Sequence, residues 1–396
     1  MSFAEAPKAR PIPRTSLCTK ITEKATEFFT RFWNGNPVVN PENKYVFITG
    51  CDTGFGRAVA EDLTQRGFNV FAGCLTDLAR RELEQWFDSL QKRGQFLKQP
   101  MKNTLYPFVL DVTKEEDVAK AAELVRSVSD GKLFALVNNA GISIDSNIDI
   151  CSVSDFERVM DVNYLGVVRV TKALLPFLLR AHLPRVVIVS SVAGTLAAGG
   201  MAPYSCSKHA VQAFAHCLRR EMGEWGLAVS LIEPGFMRTP ILFQIPENSK
   251  KIWARAEPEA KERWGDTWFQ ATSRSTTHMT RTLAEDPKLV VDAIIDACTL
   301  ERPSVHYRPG LQAKGYFLPM TYVPDYLFDK LLQFTDWRRG IPPAKLEETK
   351  RVTVDGQDAS ALSTTSAATT TTAAPATTAP AVQSGAEPGN SKPKRK

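Results

Sequence analysis

Residues 44–49 read Lys-Tyr-Val-Phe-Ile-Thr and run straight into Gly50-Cys51-Asp52-Thr53-Gly54-Phe55-Gly56. A helical pattern then begins around Val59 and Leu63 and ends near Gly67. Tyr45 to Ile48 is a continuous β-prone run, the pattern of a strand buried on both faces. Strand, glycine-rich turn and helix in direct succession is the context that gives a glycine motif chemical meaning. Gly50 permits the tight turn, Gly54 lets the backbone approach a pyrophosphate, and Gly56 lets the helix start pack closely. The free N–H groups and dipole of that helix then face the phosphates. Three glycines can also form an ordinary loop, and Gly-x-x-x-Gly-x-Gly differs from the Gly-x-Gly-x-x-Gly of other dinucleotide folds. The flanking strand and helix decide for phosphate binding.

The same alternation recurs along the chain. Further strands are predicted over 69–74, 105–110, 133–137, 186–189 and 228–232, with an edge strand over 304–307. Helices are predicted from 77 to about 93, from 115, over 154 to about 180, around Tyr204 and over 290–297. This order implies an α/β fold, a Rossmann-type doubly wound parallel sheet in a single domain. We place that domain at 43–340, after an N-terminal extension over 1–42. Residues 341–396 read as a disordered Thr/Ala/Pro-rich tail with a basic end.

Ligands of open α/β sheets bind beyond the carboxyl ends of the strands. The second strand ends at Cys74, a position where an acidic residue often binds the adenine ribose hydroxyls. No basic residue stands there to favour a 2′-phosphate, and Thr53 is neutral, so NAD is expected over NADP. Asp111 ends the third strand and either accepts a hydrogen bond from adenine or caps the next helix. Asn138, Asn139, Ala140 and Gly141 follow the fourth strand, where the amides touch a cofactor, stabilise their own turn, or do both.

Residues 190–208 hold three side chains suited to moving a proton to or from an alcohol or carbonyl: Ser191, Tyr204 and Lys208. Tyr204 and Lys208 are four apart, which puts them one turn apart on one helix face. By spacing alone such a pair is more often plain helix surface. As chemistry, an ammonium beside a phenol favours the phenolate. Free tyrosine titrates near ~10, so acid/base work at neutral pH needs a shift of roughly 3 units, or about 4 kcal/mol. A lysine alone rarely supplies that, so a second positive charge is expected nearby, and an oxidised nicotinamide ring carries one.

Composition narrows the alternatives. The 396 residues are 43% hydrophobic and carry a net charge of +6. Lys392, Lys394, Arg395 and Lys396 supply four of those charges, so the rest is nearly balanced and gives no case for nucleic-acid binding. Seven cysteines without paired spacing point to reduced thiols in an intracellular setting. No Cys/His cluster has metal-ligand spacing. No apolar run reaches the ~18 to 20 residues of a membrane span, and the N-terminus lacks a signal-peptide pattern. Residues 21–33 are expected as a short amphipathic helix that packs on the domain or lies on a membrane. Residues 317–334, rich in Leu, Tyr and Phe but broken by Pro319 and Pro324, can dip into one. Residues 240–285, with Trp253, Trp264, Trp268 and Phe269 among charges, read as an aromatic lid or as plain helical packing. The basic end is similar to a dilysine-type retrieval signal or is an ordinary charged tail.

Together, Thr49-Gly50-x-x-x-Gly54-x-Gly56, Asn138-Asn139-Ala140-Gly141, Ser191, Tyr204-x-x-x-Lys208 and Pro234-Gly235 resemble the short-chain dehydrogenase/reductase family over roughly 43–340. The glycine loop, Val-Phe-Ala-Gly-Cys-Leu-Thr and Ile-Glu-Pro-Gly-Phe-x-x-Thr-Pro look like its branch of retinol, hydroxysteroid and D-3-hydroxybutyrate dehydrogenases. Residues 313–324 look closest to the microsomal retinol/3-hydroxysteroid members. The resemblance implies an NAD-dependent alcohol dehydrogenase for a hydrophobic small molecule, forming a homo-oligomer. It also implies peripheral contact with the endoplasmic reticulum membrane, with cytoplasm or mitochondrion as alternatives. It implies Tyr204 as general acid/base and Lys208 as the group that lowers its pKa and binds the nicotinamide ribose. Ser191 would hydrogen-bond the substrate oxygen, Asn163 hold a water linking Lys208 to solvent, and Thr239 contact the carboxamide. The implied cofactor set is Gly50, Thr53, Gly54, Phe55, Gly56, Cys74, Asp111, Asn138, Ala140, Gly141, Tyr204, Lys208, Pro234, Gly235 and Thr239, without a metal. Two alternatives stand beside it. One is a D-3-hydroxybutyrate dehydrogenase-like enzyme, with Lys250, Lys251, Arg255 and Arg274 as candidate clamps for a small hydroxy acid. The other is a non-catalytic NAD- or lipid-binding module.

Overall fold

Seven short runs form one sheet in the computed structural model, which describes residues 36–96 and 102–336. They are β1 (Tyr45–Thr49), β2 (Asn69–Cys74), β3 (Leu105–Val109), β4 (Ala135–Asn138), β5 (Arg185–Val189), β6 (Ala228–Ile232) and β7 (His306–Tyr307). Every pairing is parallel, in the order β3-β2-β1-β4-β5-β6-β7. β5 is buried at every position, which is why its sequence shows no polar alternation. Its one charged residue, Arg185, is satisfied inside: the guanidinium donates to the carbonyls of Cys298 (2.9 Å) and Leu300 (2.6 Å) and lies 4.4 Å over the Phe134 ring.

The helices of seven residues or more are α1 (Gly54–Gln65), α2 (Asp77–Phe96), α3 (Glu115–Val128), α4 (Val153–Met160), α5 (Gly166–Leu178), α6 (Ala202–Met222), α7 (Pro240–Ala254), α8 (Pro258–Trp264), α9 (Asp266–Leu283), α10 (Lys288–Thr299) and α11 (Asp325–Asp336). Val59 and Leu63 of α1, Leu83 of α2 and Ile294 of α10 pack on one face of the sheet. Val125 of α3, Leu174 of α5 and Val211 of α6 pack on the other. The sheet is therefore doubly wound, as the alternation predicts. The chain moves outward through β1, β2 and β3 and then returns to lay β4 beside β1. The loops leaving β1 and β4 consequently diverge, and the crevice between them is the expected ligand site.

Two segments depart from their predicted form. A π-helical turn, Asp161–Leu165, divides the single helix expected over 154 to about 180. Its wider closure rotates Asn163 into the interior, where the residue has no exposed surface. Apolar periodicity does not register so local a change. Gly166, just after the turn, lies against the loop beyond β3, and a Cβ there would stand 2.7 Å from Val112 Cγ2.

Residues 240–285 form α7, α8 and α9, and Trp253, Trp264, Trp268 and Phe269 do not line the cavity of the β1–β4 crevice, though Phe269 lines a separate groove. Trp253 stacks on Phe269 at 4.6 Å, and Trp264 lies 4.3 Å from Trp268. Trp253 also joins Ile144, Val159 and Ile252 in a small third core. These rings bind the helices to one another, because large flat side chains are best desolvated between packed elements. No helix among the described residues is long and apolar enough to cross a membrane. In the expected membrane-facing stretch, Tyr322, Tyr326 and Leu327 are exposed and Phe328 is buried. The amphipathic helix expected over 21–33 and the basic tail lie outside the described residues.

Candidate active site

The crevice after β1 and β4 deepens into a cavity of about 1090 Å³. Its floor is fixed by a clamp. Thr49 Oγ1 accepts the backbone N–H groups of Asn139 and Ala140, each at 3.0 Å. Asn139 Nδ2 donates to the carbonyls of Thr49 (2.9 Å) and Gly50 (3.0 Å). The two loops are thus held so close that Gly50 and Gly56 have no room for a side chain. A Cβ on Gly50 would stand 2.8 Å from Ala140 Cα, and one on Gly56 would stand 2.2 Å from Gly50 O. Gly54 is different: it has φ +62° and would meet nothing within 4 Å. α1 starts at this residue with no side-chain cap from Thr53 and no acidic residue in its first turn. Open backbone and an uncapped helix N-terminus fit the diphosphate of a dinucleotide cofactor.

At one end of the cavity the structure corrects the expected ribose contact. Cys74 has no exposed surface; its side chain lies in the core packed around α1, not in the cavity. An acid comes instead from the glycine loop. Asp52 lines the cavity with Leu75, and its carboxylate accepts the N–H groups of Leu75 (2.7 Å) and Thr76 (3.0 Å). It therefore presents a negative charge at the end of β2. Asp111 also lines the cavity and organises its own turn, accepting Thr113 N (3.0 Å) and Oγ1 (2.7 Å). Burial works against its charge, yet these bonds and Lys114 hold the carboxyl below the usual range. It does not cap α3, whose N-cap position is Lys114. Asn138 is a second correction: it is buried, donates to Thr171 Oγ1 at 2.9 Å, and does not line the cavity. Strand alternation sends it to the helix-covered face, while Asn139, next along, reaches the crevice.

The other end collects the proton-transfer candidates. Ser191, Tyr204 and Lys208 all line the cavity, beside Gly141, Pro234, Gly235 and Thr239. Lys208 Nζ donates to the Val189 carbonyl at 2.9 Å and lies 5.6 Å from the Tyr204 ring. Asn163 faces the same spot: its Oδ1 accepts Ile142 N at 2.9 Å, and its Nδ2 donates to Ile142 O (2.9 Å) and Ser207 Oγ (3.0 Å). Ser191 Oγ accepts Ala193 N at 3.1 Å, which fixes its rotamer. Behind it, Gln212 Nε2 reaches Ser190 Oγ and Ser191 O (both 3.4 Å) and buried Glu233 (3.1 Å). Glu233 in turn accepts from His306 Nδ1 (2.9 Å) and pairs with Arg308 (3.1 Å).

Burial dominates the electrostatics of this pair. Burial pushes the Tyr204 phenol up to about 12, and a hydrogen bond with Ser191 only partly opposes it. Burial pushes Lys208 down to about 8. The Lys208 ammonium, 5.6 Å from the Tyr204 ring, does not offset that burial. The burial of both groups agrees with the expectation that a lysine alone does not bring the tyrosine to neutral pH.

Apolar residues close the outer part of the cavity, among them Ile241 and Ile245 from α7, Phe317 and Phe328. Of the four candidate clamp cations, Lys251 and Arg255 line it, whereas Lys250 and Arg274 line a separate groove. Arg255 is paired with buried Asp155. Among the described residues, no group of three or more His, Cys, Asp or Glu side chains could hold a metal ion. Asp52, Gln212 and Asp145, which also lines the cavity, are the positions sequence reasoning left out of the site. Asp52 and Asp145 lie on the loops that leave β1 and β4, so the strand-end rule was the signal available for them.

The family model described as short chain dehydrogenase matches residues 44–250. Human retinol dehydrogenase 16 is 40% identical over 296 residues, covering 73% of this chain and 88% of the relative. The 17-beta-hydroxysteroid dehydrogenase type 6 of Bos taurus is 36% identical over 311 residues, covering 77% and 93%. Among solved structures, a short-chain dehydrogenase from Streptomyces avermitilis superposes with a TM-score of 0.54 at 23% identity. That match covers 75% of this chain and 98% of the other.

Proposed function

The chain belongs to the short-chain dehydrogenase family, and on that footing we propose that it is an NAD-dependent oxidoreductase interconverting a neutral, hydrophobic alcohol and its carbonyl, with Tyr204 as general acid/base. The observation that carries this reading is the run of Ser191, Tyr204 and Lys208 along one wall of a cavity that continues into the glycine cradle. Residues 43–340 are the catalytic unit in this reading.

A bound nicotinamide supplies hydride acceptance or donation and, when oxidised, the positive charge the buried tyrosine lacks. In the oxidative direction Tyr204 Oη takes the proton of the substrate hydroxyl as carbon gives up its hydride. Ser191 Oγ donates to the substrate oxygen and sets its distance from Tyr204. Lys208 adds to the stabilisation of the phenolate, and a water held by Asn163 would link Lys208 to solvent. Gly50, Gly54 and Gly56 seat the diphosphate, with Thr53 and Phe55 beside it, while Ala140, Gly141, Pro234, Gly235 and Thr239 wall the nicotinamide end.

NAD is favoured over NADP by Asp52, whose carboxylate meets the backbone of Leu75 and Thr76 where a 2′-phosphate would come. The nearby guanidiniums cannot offset it: Arg57 is paired with Glu61 and Glu82, and Arg80 with Asp77 and Glu84. Asp52→Asn keeps an acceptor for one of those two N–H groups and removes the charge. The ratio of kcat/KM for NAD over NADP is expected to fall about tenfold, roughly 1.4 kcal/mol. An unchanged ratio would remove Asp52 from cofactor choice.

Apolar residues at the outer cavity and the names of the relatives both point to a retinol- or steroid-like substrate. Exposed Lys251 at the cavity rim is the one observation favouring a hydroxy acid instead. NAD-linked turnover by the purified full chain across retinoids, hydroxysteroids and hydroxy acids decides between them. Absence of turnover across the panel would leave only the non-catalytic module.

A further inference from the structure

Asp145 is a charged group at the reacting end that the steps above do not use. It follows β4 and lines the same cavity as Tyr204 and Ser191. Its Oδ2 accepts the Ser143 hydroxyl at 2.5 Å, and its main-chain carbonyl accepts Ser249 Oγ of α7 at 2.9 Å. Its Oδ1 is buried and has no hydrogen-bond partner. Leaving an acceptor so costs roughly 1–3 kcal/mol, and native proteins keep such groups where they do something else.

What Asp145 does is electrostatic. Its negative charge opposes ionisation of the Tyr204 phenol, on which the Lys208 ammonium, 5.6 Å from the ring, acts in the opposite sense. Burial pushes its own carboxyl up to about 6 against the pull of the Ser143 bond, so it is charged at neutral pH. A fixed negative charge in a poorly solvated wall opposes any second anion beside it. The cations along the cavity do not cancel it. Lys208 keeps its charge but is turned onto the Val189 carbonyl and makes no ion pair with Asp145, Arg255 is paired with Asp155, and Lys251 and Arg158 are exposed at the rim, where water and salt screen them.

We propose that Asp145 is a specificity-determining residue: its buried carboxylate excludes substrates with an anionic group near the reacting carbon and reserves the site for neutral alcohols and carbonyls. The proposal rests on the dehydrogenase reading, but binding tests it apart from turnover. The full chain, loaded with NAD, is titrated calorimetrically with a medium-chain 3-hydroxy acid and with its methyl ester, which share one skeleton and differ in charge. Wild type is expected to bind the ester at least about tenfold more tightly. Asp145→Asn, which keeps the bond to Ser143, is expected to bring the two within about threefold by tightening the acid alone. Asp145→Ser, a second neutral replacement, is expected to do the same. Discrimination unchanged in both variants, or a wild type that prefers the acid, overturns the proposal. NADH formation is followed in parallel. Discrimination that collapses in the variants without any NADH from either compound overturns the dehydrogenase reading and supports the role of Asp145.

Discussion

Tyr204→Phe is expected to reduce kcat/KM by about 10²- to 10⁴-fold, the usual contribution of a positioned acid/base, while NAD binds within about threefold of wild type. The substitution removes one oxygen. The ring stays in the wall of the cavity, the Lys208 ammonium stays on the Val189 carbonyl, and the glycine cradle lies at the far end. No neighbour can replace the hydroxyl: Ser191 holds the Ala193 N–H, and an aliphatic alcohol does not ionise in this range. The pH profile provides a separate check. With burial holding the phenol up to about 12, oxidation needs it deprotonated, so wild-type oxidation rises with pH and reduction falls. The buried lysine, at about 8, is charged below that value and loses its charge above it, which limits the gain at high pH. The residual activity of the phenylalanine variant should lack the rising limb. Wild-type turnover in that variant would take Tyr204 out of its role.

The fold was legible because its strands are buried on both faces. Runs such as Val229 to Ile232 have no polar face to hide them, and the glycine turn after β1 marks where the winding begins. That Ser191, Tyr204 and Lys208 line one cavity was expected from several motifs in family order, since the one-turn spacing of Tyr204 and Lys208 by itself is more often plain helix surface. What stayed illegible depends on a single residue's direction. Asn138 and Asn139 are neighbours in sequence, but only the second faces the crevice, and strand phase at a ragged end decides which. Cys74 stands at the expected acid position, yet the acid is Asp52, from a loop 22 residues earlier in the chain (74 − 52), brought to the end of β2 by tertiary contact. The π turn that buries Asn163 leaves no apolar signature, and burial energies decide the tyrosine and lysine ionisation, which spacing cannot report.

Gly56→Ala provides the other large effect, and its direction runs against helix propensity. In an ordinary helix interior, alanine is favoured over glycine by roughly 0.5–1 kcal/mol. Here the new methyl would stand 2.2 Å from Gly50 O and 2.5 Å from Asn139 Nδ2. Neither can give cheaply. The first is main chain at the end of β1, and the second is the amide that ties the two loops together. Relief requires α1 to move off β1, which opens the clamp and moves the uncapped helix N-terminus away from the diphosphate. Overpacking of this kind costs about 1–3 kcal/mol in stability. A cradle displaced by that movement is expected to lose NAD affinity by roughly 100-fold, about 2.7 kcal/mol. Gly223→Ala is the matched control, because a Cβ there meets nothing within 4 Å, and it should leave both quantities unchanged or slightly improved. Thermal unfolding and NAD titration on the two variants separate packing from propensity. If Gly56→Ala binds NAD like wild type, the close approach of α1 to β1 is not what builds the cofactor site.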